Sequence, residues 1–217
     1  MARVGLLGGS FNPIHYGHLL LADEVLETLG LDRLLFVPAA APPHKPATQL
    51  APAADRYEMV RLAIADHPKF AVSDLELRRP GPSYTVDTLQ ALAAGGDELF
   101  YVVGSETFLD LLTWREPRRI ARLARLVVIP RAGSAFDAES AAAQKVLREI
   151  GVEGGFVHDL SGGVPPRGVL IVHATSLPLS ASELRRRVRE GRSLAFRMPP
   201  AAIAYVRSHG LYRAETA

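Results

Sequence analysis

Residues 3–18, RVGLLGGSFNPIHYGH, decide the fold. After Arg3 the chain is apolar to Leu7 over the length of a short buried strand, and Gly8-Gly9 breaks the run. From Leu19 to Leu29 apolar residues recur at helical spacing until Gly30 stops them. A strand, a glycine-rich turn and a helix open the chain. Working outward, Arg33–Pro38 predicts a second strand. The four prolines between Pro38 and Pro46 then exclude a helix or central strand and predict an exposed loop. Helices are predicted over Asp55–Asp66, Tyr84–Ala94, Asp137–Ile150, Ser182–Glu190 and Pro200–Ser208, the last capped by Gly210. Strands are predicted over Leu99–Val103, Arg125–Pro130 and Gly168–His173, with strand and bend in the FAVSDLEL segment from Phe70. This alternation implies a Rossmann-like, doubly wound α/β fold: a mainly parallel sheet, helices on both faces, and a ligand crevice at the strands' C-terminal ends.

At 217 residues, with 48% hydrophobic and 22% charged residues, the chain is expected to form one domain spanning 1–217 around a sizeable core. The absence of cysteine excludes disulfides, thiolate zinc sites, iron–sulfur clusters and a cysteine nucleophile. No signal-peptide pattern follows Met1, and no apolar run approaches the ~18 residues of a membrane span, so a cytoplasmic location without membrane association is expected. The net charge of +2 gives no reason to expect a nucleic-acid partner. Charge is nevertheless clustered, with six Arg (185, 186, 187, 189, 192, 197) against two Glu (183, 190) in residues 180–197, and an anionic ligand is expected there.

The chemistry concentrates in Gly8–His18. Gly8 and Gly9 let the backbone approach a ligand, Gly17 is expected to leave room over the amides of the helix start, and helix N-terminal amides attract phosphate. His15 and His18, three apart, can face one phosphate group from the same side of a helical turn. An isolated HxxH is more often a solvated pair or half a metal site, but the Gly-Gly turn after a first strand favours phosphate. Neither a GxxxxGK[ST] loop nor a GxGxxG fingerprint is present. A second motif, LSASELRRRV at Leu179–Val188, has capping-box spacing between Ser180 and Glu183, with Ser182 an alternative cap and Arg185 in the first turn or so. The remaining arginines, Arg186, Arg187 and Arg189, are expected to be surface charge.

Gly9–His18 resembles the GxFxPxHxGH signature of the nucleotidyltransferase superfamily, and Leu179–Arg185 resembles that superfamily's second motif. Pro42-Pro43-His44-Lys45, Pro82-Ser83-Tyr84-Thr85, Gly104-Ser105-Glu106, Trp114 and the GLY at 210–212 are similar to segments of one branch, the bacterial nicotinate-nucleotide adenylyltransferases. Asn12 and Glu106 stand where that branch usually has Asp. The resemblance implies adenylyl transfer from ATP to nicotinate mononucleotide in NAD synthesis. It implies an ATP site of Gly8, Gly9, Ser10, Phe11, His15, His18, Gly104, Glu106, Ser180, Ser182 and Arg185, completed by the helical segment from about 180 to 217. It further implies a mononucleotide site of Lys45, Tyr84, Thr85, Trp114 and Arg115.

In such a transfer the acceptor's own phosphate attacks the α-phosphorus, so no protein nucleophile or general base is needed. His15, His18, Lys45 and Arg185 would then supply charge stabilisation. Mg²⁺ would arrive with ATP, held mostly by phosphate oxygens and water, with no dedicated protein metal site. Other phosphorylated acceptors, nicotinamide mononucleotide or pantetheine phosphate, and more remotely a His-ligated hydrolase or a nucleic-acid-binding module, remain open. So does a homo-oligomer.

Overall fold

Period-two burial along the strands builds a sheet covered on both faces. A computed structural model of the protein describes residues 1–44, 46–130 and 136–213. The strands are β1 (Arg3–Gly9), β2 (Arg33–Pro38), β3 (Phe70–Val72), β4 (Glu98–Gly104), β5 (Arg125–Ile129), β6 (Phe156–Val157) and β7 (Val169–Ile171). Interleaved are α1 (Tyr16–Thr28), α2 (Ala53–Ala63), α3 (Leu75–Arg78), α4 (Thr85–Ala93), α5 (Ser105–Leu109), α6 (Pro117–Leu123), α7 (Ala141–Ile150), α8 (Ala181–Arg189) and α9 (Pro200–Ser208). Every strand pairing is parallel, in the order β3-β2-β1-β4-β5-β7-β6.

Alternate residues of one strand feed two cores. Leu7, Phe36, Phe100, Val102, Val127 and Ile129 pack with Val25 of α1, Met59 of α2, Leu184 of α8 and Ile203 of α9. Val4, Leu6, Tyr101, Val103, Leu126 and Val128 pack on the other face with Leu89 of α4, Ile120 of α6 and Leu147 of α7. The C-terminal helices α8 and α9 thus share the core of α1 and α2. Because the chain leaves β1 toward β2 on one side and returns to β4 on the other, the crevice expected of such a sheet opens at Gly8-Gly9 and Gly104.

Several boundaries differ from the sequence expectation. The helix expected from Asp137 starts at Ala141. The Asp137 carboxylate accepts the Glu139 N–H at 2.8 Å and its carbonyl accepts the Ser140 hydroxyl at 2.7 Å, making a turn from which Ser140 caps the helix. The expected bend after β3 is the one-turn helix α3, entered as the Ser73 hydroxyl accepts the Leu75 N–H at 3.2 Å. The second motif's helix begins at Ala181, with Ser180 rather than Ser182 as its cap.

Arg56 of α2 lies on the same helical face as Met59, Val60 and Ala63, and is 1% exposed. Its guanidinium donates to four backbone carbonyls, those of Ser10 (2.9 Å), Ala39 (2.6 Å), Ala40 (3.1 Å) and Ala51 (2.9 Å). One side chain thereby fixes the turn after β1 and both ends of the proline-rich loop. Arg56→Leu should cost roughly 2–4 kcal/mol, since a buried carbonyl without a donor costs about 1–3 kcal/mol and relaxation recovers part. A lowered urea midpoint at unchanged m-value is the expected readout; an unchanged midpoint would show that these carbonyls need no donor.

Candidate active site

The turn after β1 is built around two imidazoles. His15 is the N-cap of α1, and His18 follows three residues later in a reciprocal capping-box arrangement. The His15 backbone N–H donates to His18 Nδ1 at 3.3 Å, and the two rings stack 3.7 Å apart at 25°. With Nδ1 of His18 accepting, its ring proton sits on Nε2, which makes that nitrogen a donor. Burial pushes the His15 pKa down from 6.5 to about 4, so its ring is neutral at neutral pH. Gly17 leaves room for the His15 ring: a Cβ there would lie 3.0 Å from His15 Nδ1, a tight contact. The space expected above the amides is therefore filled by imidazole.

Phe11, in left-handed backbone at φ 43°, is buried, and its ring meets His18 edge-on at 5.2 Å and Phe36 at 5.8 Å. Its side chain supports the histidine and does not line the crevice. Asn12 joins the neighbouring loop, donating to the Gln49 carbonyl at 2.9 Å and accepting the Ala51 N–H at 3.0 Å.

The second motif docks directly on this turn. Ser180 accepts the Glu183 N–H at 3.2 Å. Arg185 donates to the Asn12 carbonyl at 2.8 Å and to the Ser182 hydroxyl at 3.2 Å. Glu183 is turned to Arg186 at 2.5 Å. Arg187, expected at the surface, is buried and donates to the Ser193 carbonyl at 2.7 Å. It holds the turn that follows α8.

Beside β1 and β4 lies a cavity of about 580 Å³. It gathers Gly8, Gly9, Ser10 and Gly104 with Tyr84, Thr85, Trp114 and Arg115. The Arg115 guanidinium lies 5.0 Å over the Tyr84 ring, within reach of Asp87 at 3.6 Å. Trp114 stands edge-on to Tyr101 at 6.4 Å. The Tyr101 hydroxyl meets that of Thr85 at 3.4 Å, and burial pushes its pKa up to about 12. His15, His18, Phe11, Ser180, Ser182 and Arg185 do not line this cavity; Arg185 borders a second one with Arg189, Tyr212 and Arg213. Glu106 is exposed in the first turn of α5. Lys45 lies outside the described residues. Among those residues, no group of three or more His, Asp or Glu is arranged to hold a metal ion. Arg56, Tyr101 and Glu76 of the site region went unnoticed in the sequence; only Arg56, a charge within an apolar helical stripe, carried a signal.

A doubly wound parallel sheet with stacked imidazoles at its first helix and an arginine motif docked beside them defines a nucleotidyltransferase of the α/β class. The cytidylyltransferase-like family model matches residues 6–187. A Thermus thermophilus protein named as a probable nicotinate-nucleotide adenylyltransferase is 44% identical over 213 residues, covering 97% of this chain and 100% of its own. One of that name from a Synechococcus species is 42% identical, over 97% and 94%. The chain belongs to the nicotinate-nucleotide adenylyltransferase family. The fold matches that of the Plasmodium falciparum nicotinic acid mononucleotide adenylyltransferase complexed with NaAD, with a TM-score of 0.73 at 19% identity over 98% of both chains.

The lowered His15 pKa has a sign that can be measured. The unfolded chain binds this proton at pH 6.5 and the folded chain only near pH 4, so the stability contributed is full above 6.5 and is lost as pH falls toward 4. Unfolding free energy should decline by up to about 1.4 kcal/mol per pH unit in that window, and His15→Asn should flatten the slope. Equal slopes in both proteins would show that the ring is not desolvated.

Proposed function

We propose that this chain, acting as one domain, transfers the adenylyl group of ATP to nicotinate mononucleotide, giving nicotinate adenine dinucleotide and pyrophosphate. The observation that carries this reading is the pairing of the stacked His15–His18 turn with a separate cavity walled by Trp114 and Tyr84. An oxygen of the acceptor's 5′-phosphate attacks the α-phosphorus, the new P–O bond forms as the bond to the pyrophosphate oxygen breaks, and the electron pair leaves with pyrophosphate. The protein's task is alignment and charge stabilisation.

His18 donates from Nε2 to the α-phosphoryl oxygens, with His15 beside it, while the N–H groups of Gly8, Gly9 and Ser10 approach the phosphates. Arg185 and the hydroxyls of Ser180 and Ser182 face the β and γ phosphates, and α8 with the segment after it completes the ATP site. Lys45 takes the acceptor phosphate. Phe11 acts through its support of His18, and Gly104 and Glu106 border the adenosine. A divalent cation accompanies ATP in this family; we take it to be Mg²⁺, held by phosphate oxygens and water. Tyr84 and Trp114 stack on the pyridine ring, and N–H groups at Thr85 and Arg115 take its carboxylate. An amide in place of that carboxylate would leave a donor facing donors, which supports preference for the acid. Use of ATP as co-substrate supports a cytoplasmic location.

Pyrophosphate release from Mg·ATP, measured with the acid mononucleotide, the amide mononucleotide and pantetheine phosphate, tests the assignment. Strong preference for either of the latter would end it. His18→Ala should lower kcat by about 10²–10³ with KM for ATP little changed, as for loss of one transition-state donor. Trp114→Ala should raise KM for the mononucleotide about tenfold or more, the weight of a stacked aromatic contact. A defect confined to ATP would remove the ring from the acceptor site.

A further inference from the structure

One buried ionisable side chain in the cavity has no part in the chemistry above. Glu76, in the first turn of α3, is only 7% exposed. Its Oε1 accepts the Thr88 hydroxyl at 2.6 Å, and that hydroxyl in turn accepts from Arg79 Nη2 at 3.0 Å. Oε2 is buried without a hydrogen-bond partner among the described residues. Glu76 and Thr88 both line the cavity that holds Trp114. Arg79 reaches Glu76 through the Thr88 hydroxyl, and the Arg56 guanidinium, engaged with backbone carbonyls, acts on it only through space, so among the described residues the carboxylate has no direct ion pair. Burying a carboxylate in this condition is costly, and since Oε2 is shielded from contact, a ligand in the adjoining cavity offsets that cost through its charge.

The ring proposed for this cavity has what is missing. An N-glycosylated pyridinium carries a full positive charge and no N–H, so it is met by a carboxylate through charge and by an aromatic face through cation–π attraction. Its own carboxylate must turn the other way, toward Thr85 and Arg115. We propose that Glu76 is a specificity-determining residue that selects the oxidised, cationic pyridine ring over a neutral one. This rests on the acceptor being nicotinate mononucleotide.

The test compares nicotinate mononucleotide with its 1,4-dihydro form, whose ring is uncharged, at saturating Mg·ATP. The wild-type enzyme should favour the oxidised form in kcat/KM by about tenfold or more, the size of a partly screened charge contact. Glu76→Gln, isosteric and uncharged, should bring the ratio to within about threefold, a change of about 0.7 kcal/mol or more in discrimination, with KM for ATP unchanged. Equal use of both forms by the wild type would overturn the proposal, and that measurement needs no variant to fold. A preference retained in Glu76→Gln would overturn it too, as would equal weakening of both forms, which would assign Glu76 to the ribose. If the wild type uses neither form but turns over another phosphorylated acceptor, the acceptor assignment itself falls and takes this proposal with it.

Discussion

The buried guanidinium of Arg56 is the contact on which the geometry of the site depends. A strand that ends at Gly8-Gly9 and a loop with four prolines between 38 and 46 both expose carbonyls that no ladder or helix can satisfy. Water would satisfy them at a surface, but here they lie under α2. Arg56 answers with donors in a planar fork, spread over Ser10, Ala39, Ala40 and Ala51. No lysine could span that set, because an ammonium is a point donor with three protons. The turn that carries the two histidines is thereby tied to the loop that carries Pro42, Pro43 and His44, and the two proposed substrate sites share one anchor.

A second tie joins the ends of the sequence. Arg185 is 173 positions from Asn12, yet their hydrogen bond sets α8 against the first turn. Asn12 passes the constraint on to Gln49 and Ala51. Where the resemblance leads to an expectation of Asp, the amide here both donates and accepts, which an ionised carboxylate could not do.

Strands were legible in the sequence because burial on both faces demands uninterrupted apolar runs, as in Leu99–Val103, and α1 because Gly30 and its apolar stripe mark its extent. The histidine turn was legible because few local devices place two imidazoles behind a Gly-Gly break. What escaped depends on contacts between distant segments. β6 is two residues long after Gly154-Gly155 and exists only through its pairing with β7. Arg187 looked like its exposed neighbours because nothing in an arginine run tells which member meets the Ser193 carbonyl. Glu76 is one acid among several in a polar stretch, and only the tertiary approach of Thr88, twelve residues on, gives it a partner. The resemblance assigned Phe11 to the nucleotide by its place in a motif, and only the structure shows its ring packed edge-on against His18.

The site's electrostatics follow from which donors are already engaged. Arg185 carries five N–H groups, and its bonds to Asn12 and Ser182 occupy two, so the guanidinium is oriented before any phosphate arrives while, among the described residues, three donors remain. The imidazoles are fixed in the same way: capping sets the tautomer of His18, and burial keeps His15 neutral. If the proposed placement of ATP holds, a neutral donor next to the α-phosphorus would add a hydrogen bond that strengthens as charge shifts onto the phosphoryl oxygens, without the strong ground-state attraction a cation would add. Cationic groups stand instead at the second motif, where the negative charge of a leaving pyrophosphate would accumulate. Under the proposed reading, that division, neutral donors at the reacting centre and arginine at the leaving group, would favour the transition state over the bound triphosphate, the condition for raising turnover instead of affinity alone.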